Sequence, residues 1–401
     1  MSTLPADALP SPAASGSIAL SSTQARVRLQ SIDVLRGFVI ALMALDHVRA
    51  YFTGVRFDPL DLSQTDAAWF ATRWITHLCA PTFIFLSGVS AYLISRRCEL
   101  KELRRFLVTR GLWLIALEVT VVQFGWSFNF RYEIGLIMQV IWAIGASMVV
   151  LAALVHLPQR AIGAIAVIMI AGHNLLDGIQ PEAFGQWAPV WNLIHVQGRT
   201  SFAFVIYPLV PWVGVMALGF YAGSLFEMDS RRRRSILLGV GAISVALFIA
   251  LRAANGYGDP HPWTSQATPA LTLMSFINVH KYPPSLLYLL ITLGLASLLL
   301  ARFETMRGKV VDVMDTFGRV PLFFYVLHIL LAHFAAGLIA LATGHGDVVL
   351  TNLFLLMPDQ WGFDLPGVYV AWIAVLIALY PACRWFAEVK RRRRDWWLSY
   401  L

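Results

Sequence analysis

SIDVLRGFVIALMALDHVRAYF, residues Ser31 to Phe52, is long and apolar enough to read as a membrane-crossing helix, yet it carries Asp33, Arg36, Asp46, His47 and Arg49. Crossing the hydrocarbon core takes about 20 apolar residues. Ionisable groups within such a segment are costly unless they pair or face a cavity, so they are functional candidates by default. Arg36 and His47 are eleven residues apart; at 3.6 residues per turn they return to nearly one face, separated by roughly 16 Å along the axis. That face offers a cation near one membrane surface and an imidazole deeper toward the other.

Outward from this segment the chain repeats the pattern. It has 401 residues, 58% hydrophobic and 13% charged, with a mean hydropathy of +0.65, a composition outside that of soluble domains. Ten apolar runs are expected to span the membrane: 31–52, 68–95, 106–125, 134–155, 161–176, 203–227, 235–253, 283–301, 319–342 and 367–387. The fold class is therefore an all-α polytopic membrane bundle. Connections after the second, sixth, eighth and tenth runs hold Arg96, Arg97, Lys101, Arg104 and Arg105, then Arg231 to Arg234, then Arg302, Arg307 and Lys309, then Lys390 to Arg394. Those after the first, fifth, seventh and ninth runs hold few basic residues, Arg56, Arg199 and Lys281, plus Arg252 near a helix end, while the fourth connection, His156 to Arg160, is short and carries one Arg. Basic loops stay in the cytoplasm, so both termini are expected there.

The net charge of +8 reads as a topology signal and lipid-headgroup attraction rather than nucleic-acid binding, because the basic residues sit at span ends. Residues 1–27, rich in Ala, Ser, Thr and Pro, read as a disordered cytoplasmic tail; residues 28–390 as one transmembrane domain; residues 391–401 as a basic and aromatic cytoplasmic tail. Cys79, Cys98 and Cys383 lack metal or redox spacing and read as packing residues. No metal site is expected.

The second run carries Arg73, Thr76 and His77 ahead of Ala80-Pro81. Arg73 and His77 are a turn apart on one face; Pro81 has no N–H, so a kink and a released carbonyl are expected there. The ninth run places Arg319 at the cytoplasmic edge, Tyr325 and His328 on neighbouring positions deeper in, and His333 beyond. The eighth opens on His280, Lys281 and Tyr282 before Pro283, a basic and aromatic rim fit for a substrate mouth. Each has a plain structural reading too: Arg36 snorkelling and clamped by Asp33, single histidines linking helices, and Trp187, Trp191 and Trp263 as interfacial belt residues rather than sugar platforms. For His173, His195, His261 and His345, in loops or at span ends, the structural reading is preferred.

With these residues in place the chain resembles bacterial membrane proteins similar to the catalytic domain of heparan-alpha-glucosaminide N-acetyltransferase, within the transmembrane acyltransferase superfamily. The stretches that carry the resemblance are Arg28 to Gly37 (RLQSIDVLRG), Met43 to His47 (MALDH), Arg73 to Phe83 (RWITHLCAPTF), Lys281 to Pro284 (KYPP) and Gly318 to Leu322 (GRVPL). Arg36 and His47, with ten residues between them, also look like the Arg-x10-His motif of related membrane acyltransferases. The resemblance implies transfer of an acyl group, expected to be acetyl, from cytoplasmic acyl-CoA to a hydroxyl or amine of an extracytoplasmic carbohydrate in a bacterial inner membrane. No counterpart of the large lumenal domain of the animal enzyme is expected here, and heparan sulfate is not the expected acceptor.

Under this reading Arg36, Asp33, Arg319 and Tyr325 would serve the polyanionic acyl-CoA donor, and His280, Lys281 and Tyr282 the acceptor. His47, with His77 or His328 as rivals, would act as general base or as a covalent acyl carrier. Asp46 would orient the base, and Arg73 or a hydroxyl would stabilise the oxyanion. A homo-oligomer is compatible with the sequence. The alternative is a proton-coupled small-molecule transporter using the same buried His, Arg and Asp residues, and a noncatalytic sensor or assembly protein also stays open.

Overall fold

The computed structural model describes residues 30–128, 135–345, 361–393, 395 and 398. The expected tail at 1–27 lies outside these residues, as do Arg28, Leu29, Arg394 and most of the chain beyond it. The architecture is the expected helical bundle. All ten expected spans are helical: α1 (Gln30–Phe52), α2 (Ala67–Ile75) continuing into α3 (Cys79–Ser95), α4 (Leu100–Leu117) continuing into α5 (Gln123–Ser127), α6 (Val140–Leu154), α7 (Gln159–Gly172), α9 (Leu209–Ala222), α10 (Ser230–Ala254), α12 (Leu286–Phe303), α14 (Pro321–Ala342) and α15 (Leu365–Arg392). Three shorter helices join them: α8 (Ala188–Ile194), α11 (Pro269–Ile277) and α13 (Lys309–Arg319). Eight of the spans are long and apolar enough to cross a membrane; α6 is shorter, and α1 is set apart by its charges.

Most boundaries shift by a few residues from the sequence reading, and three of the shifts have a plain local reason. The fourth span starts at Val140 rather than 134, and the sixth at Leu209 rather than 203, because Leu136–Met138 (β1) and Ala203–Val205 (β3) pair in parallel. Gly198–Arg199 (β2) adds an antiparallel strand on the other side of β3. This small sheet is fastened to the bundle by Gln123, whose side-chain oxygen accepts from the Ile137 N–H at 3.0 Å. The ninth span starts at Pro321, a favoured first helical residue; Arg319 instead ends the amphipathic α13, with the break at Val320.

α1 is the central post, packed against α3, α12, α13, α14 and α15, and most of its circumference is buried. Helices in lipid gain little from hydrophobic burial against one another, so close approach at small residues carries the association. Gly37 of α1 faces the Met314 carbonyl of α13, while Gly318 of α13 faces the Asp33 carbonyl of α1, with no room for a Cβ at either position. Gly88 on α3 and Gly219 on α9 interlock in the same way against the Met216 and Phe85 carbonyls. The first contact sets Asp33 and Arg36 against α13.

The second span bends one step before the expected place. Thr76–Leu78 forms a 3-10 turn between α2 and α3, so His77 is not on a continuous helix with Arg73. Pro81 sits in the first turn of α3. Its missing N–H would have bonded the His77 carbonyl four residues back; that carbonyl accepts instead from the Tyr288 hydroxyl of α12 at 2.8 Å. The released carbonyl expected from the sequence has thus acquired a buried donor.

Candidate functional site

The two central histidines come from helices far apart in sequence. Nδ1 of His47 lies 2.7 Å from Nε2 of His328, with the rings nearly parallel at 4.9 Å. Nδ1 of His328 is 3.1 Å from the Phe324 carbonyl. A carbonyl only accepts, so that nitrogen carries the proton; with both rings neutral, Nε2 of His328 is the acceptor and Nδ1 of His47 the donor. The remaining lone pair of the dyad is therefore on Nε2 of His47. Trp126 and Tyr325 stand edge-on to His47, with centroids at 4.8 and 6.1 Å.

Trp126 is held by its surroundings. Tyr51, one turn beyond His47, stacks on it at 5.4 Å and donates to the Trp126 carbonyl at 3.2 Å. His333 donates to the Gly125 carbonyl at 3.0 Å and stacks on Tyr51 at 4.7 Å. The chain reaches Trp126 through a π-helical turn, Glu118–Val122, between α4 and α5. Such bulges re-aim side chains and recur at functional sites. Glu118 is buried there, one oxygen accepting from the Trp142 N–H at 2.9 Å and the other without a hydrogen-bond partner among the described residues.

Asp46, adjacent to His47 but turned to another face, anchors a second cluster. Arg49 lies 3.0 Å from one carboxylate oxygen and Arg73 3.5 Å from the other. Lys281 adds a third cation acting on the same carboxylate. Arg73 also donates to Thr76 Oγ1 at 2.9 Å. One partly buried anion among three cations leaves a positive surplus, and charge acts more strongly there than in open water.

On the other side of the dyad a cavity of about 350 Å³ opens between α1, α3, α4, α6 and α14. Its walls are largely apolar, including Ile40, Phe83, Ile94, Leu114 and Ile144, and four cations line it: Arg36, Arg110, Arg319 and Lys390. Met43 and Tyr325 also line it; Met43 is one turn from His47, and Tyr325 touches the dyad through its ring. Arg36 is oriented by Asp33 at 3.0 Å, by the Ser90 hydroxyl at 3.3 Å and by the Gly318 carbonyl at 3.3 Å. Arg319 pairs with Asp315 on its own helix.

At the opposite end, His280, Lys281 and Tyr282 form a tight rim. Asp259 accepts from the His280 N–H at 2.8 Å and from the Ser285 hydroxyl at 2.7 Å. Nε2 of His280 bonds the Tyr282 carbonyl at 2.9 Å, and Lys281 Nζ sits 5.1 Å from the Tyr282 ring centroid. Burial, with His261 nearby, holds His280 below the usual histidine range. Burial resists ionisation of Tyr282, but the Lys281 and Arg73 cations outweigh it and lower its hydroxyl below the ordinary phenol range. Arg252 fixes the loop beneath by donating to the carbonyls of Phe276, His261, Ser275 and Asn278 at 2.7 to 3.1 Å. Trp191 and Trp263 are tied through their indole N–H to the carbonyls of Ile179 and Arg252.

The structure thus joins His47, His328 and Tyr325 on one side and Asp46, Arg73 and Lys281 on the other, while Arg36, Asp33 and Arg319 border the cavity. His77 stands apart: it is 1% exposed, packs on Tyr288 at 5.2 Å, and neither ring nitrogen has a hydrogen-bond partner among the described residues. Sequence reading passed over Arg110 and Lys390 at the cavity, Trp126 beside His47, and Glu118. Glu118 alone carried a signal, as a lone acid in an apolar run. The sequence reading also took His173 and His195 as separate structural histidines and passed over Asp177, yet the ligand atoms of the three lie within 4.8 Å of one another; the H-x3-D spacing of His173 and Asp177 was the available sign.

No match was found among curated proteins. A protein-family comparison matches residues 28–253 to heparan-alpha-glucosaminide N-acetyltransferase, catalytic, a span that covers more than half of the chain and includes Arg36, His47, Arg73 and His77. The chain therefore belongs to the family of heparan-alpha-glucosaminide N-acetyltransferase catalytic domains.

Proposed function

We propose that the protein is a membrane acyltransferase that takes an acetyl group from acyl-CoA, bound in the cationic cavity, and delivers it to a hydroxyl or amine of a carbohydrate entering from the Lys281 end. The observation that carries this reading is the continuity of three features: four cations, an apolar channel fit for a pantetheine arm, and a histidine dyad beside its Met43 and Tyr325 lining. The cavity volume falls in the range of small-molecule sites, roughly 300 to 1,000 Å³. The cations suit the nucleotide phosphates. By the charge rule for loops, the Arg36 end faces the cytoplasm, where acyl-CoA resides.

In this scheme Nε2 of His47 accepts the proton of the acceptor group as it attacks the thioester carbonyl. His328 acts as a positioning residue that keeps the lone pair on that nitrogen. Charge developing on the carbonyl oxygen is balanced by the positive surplus around Asp46, to which Arg73 and Lys281 contribute. Collapse of the intermediate breaks the C–S bond, and the imidazolium returns its proton to the departing thiolate. His280, Lys281 and Tyr282 would orient the acceptor.

The test is thioester consumption by purified protein, comparing wild type with His47→Ala and Arg36→Ala. Expected are a fall in kcat of about 10²- to 10⁴-fold for His47→Ala, the usual worth of a general base, and a raised KM for acyl-CoA with kcat largely kept for Arg36→Ala. A folded wild type that neither binds acyl-CoA nor consumes it, yet accumulates a solute in vesicles when a proton gradient is imposed, would transfer the same residues to a transporter.

A further inference from the structure

Three side chains that the transfer scheme does not use meet near the Lys281 rim. His173 opens the short 3-10 turn after α7, Asp177 closes it, and His195 ends α8. His195 Nε2 is 3.3 Å from Asp177 Oδ1, and the ligand atoms of all three lie within 4.8 Å. Both histidines are almost wholly buried, at 2% and 1% exposure, and none of their four ring nitrogens makes an aligned hydrogen bond among the described residues. Buried polar groups are ordinarily satisfied, so two imidazoles left without partners and facing a carboxylate call for an occupant.

The surroundings hold the three ligand groups in place. Asn174 donates to Asp177 Oδ2 at 2.7 Å, which leaves Oδ1 turned toward His195. The Asn174 oxygen accepts from the Leu286 N–H at 2.9 Å, tying the turn to the start of α12. The Pro284 carbonyl lies beside His173, short of hydrogen-bond geometry. The Asn174 side chain is the kind of outer partner that fixes the orientation of a metal-ligating carboxylate.

We propose that His173, Asp177 and His195 bind one divalent transition-metal ion, Zn²⁺ by class, with a fourth position open to water. Two imidazoles and one carboxylate suit zinc, whereas calcium and magnesium take oxygen ligands. Donor atoms around a tetrahedral zinc ion are roughly 3.3 Å apart, so the His195–Asp177 pair is already spaced correctly and His173 closes by a side-chain adjustment. The bound ion would join the end of α7 to the end of α8, beside the start of α12 to which Asn174 ties the turn, bracing the rim that carries Lys281 and Tyr282.

The test uses tag-free full-length protein in detergent, stripped with chelator and titrated with Zn²⁺ and with Co²⁺. Expected are about one Zn²⁺ retained per chain after desalting, intense visible Co²⁺ absorption of a tetrahedral site, and a Tm that rises with Zn²⁺. His195→Ala should bring metal content to background, and Asp177→Asn should weaken binding about tenfold or more. Wild-type protein with no retained Zn²⁺, no Co²⁺ bands and an unmoved Tm would overturn the proposal, as would full metal content in His195→Ala. Should that variant not fold, the wild-type titration and Asp177→Asn decide the matter.

Discussion

Replacing His328 by alanine removes the acceptor for the His47 Nδ1–H, 2.7 Å away, without touching the cavity lining. A buried donor left without a partner costs about 1 to 3 kcal/mol. If that penalty falls on the catalytically competent tautomer and ring position, it corresponds to a loss in kcat of roughly 5- to 150-fold at about 1.4 kcal/mol per decade. The KM for acyl-CoA should stay near the wild-type value, because neither His328 nor the bond it makes faces the cations of the cavity. His328→Gln, whose amide oxygen can accept the same proton, should recover part of the loss. The assay is steady-state release of CoA thiol across the variants, with His47→Ala and the double variant completing a cycle. In a positioning role the double variant is no slower than His47→Ala alone. Unchanged turnover in a folded His328→Ala protein would refute the tautomer argument; a loss as large as that of His47→Ala, with no rescue by Gln, would make His328 the base instead.

Other consequences concern packing. Gly318→Ala places a Cβ against the Asp33 carbonyl and Gly37 N–H of α1; prising two backbones apart typically costs about 1 to 3 kcal/mol, so thermal unfolding in detergent should show a clear loss of Tm and acyl-CoA binding should weaken as Arg36 shifts. Gly239→Ala on α10, where a Cβ meets open space, is the control, and equal Tm values for the two variants would dismiss the interlocking contact. Tyr288→Phe strips the His77 carbonyl of its buried donor at about 1 to 3 kcal/mol; a Tm equal to wild type would show that another group or water satisfies the carbonyl Pro81 releases.

Much of the fold is legible along the chain because a lipid environment enforces a simple rule: every spanning segment must satisfy its own backbone, so length and hydropathy locate helices directly. The ten expected runs all became helical. The misplaced boundaries lie where that rule does not reach. β1 and β3 are three-residue strands whose pairing joins Leu136 to Ala203, a long-range partnership with no local signature. The shift of the second-span bend from Pro81 to Thr76–Leu78 follows from a proline acting on the turn before it, which the sequence indicates only by direction.

The site divides in the same way. Arg36 and His47 were readable because ionisable residues stand out against an apolar segment, and Pro81 because its chemistry is intrinsic to the residue. Asp46 and Arg73 were visible as charges but not as a pair, and Arg110 and Lys390 looked like ordinary interfacial cations. Whether a polar side chain faces a cavity, a partner helix or lipid depends on helix rotation, which a near-uniform apolar sequence encodes weakly: α1 and α14 are buried on several sides.

What the sequence determined by itself is the class of molecule: helices long enough to cross a bilayer, charged residues set at particular depths, and the small residues through which backbones approach. Those follow from local chemistry and from the energetics of transfer into hydrocarbon. The tertiary structure alone decided which of several buried histidines meet. His47 and His328 are 281 positions apart, and their rings face each other only because Gly37 and Gly318 draw α13 against α1 while α14, following directly from α13, is carried alongside. Proximity of that kind is a property of helix crossing and rotation, fixed by steric fit across the whole bundle rather than by any segment of it.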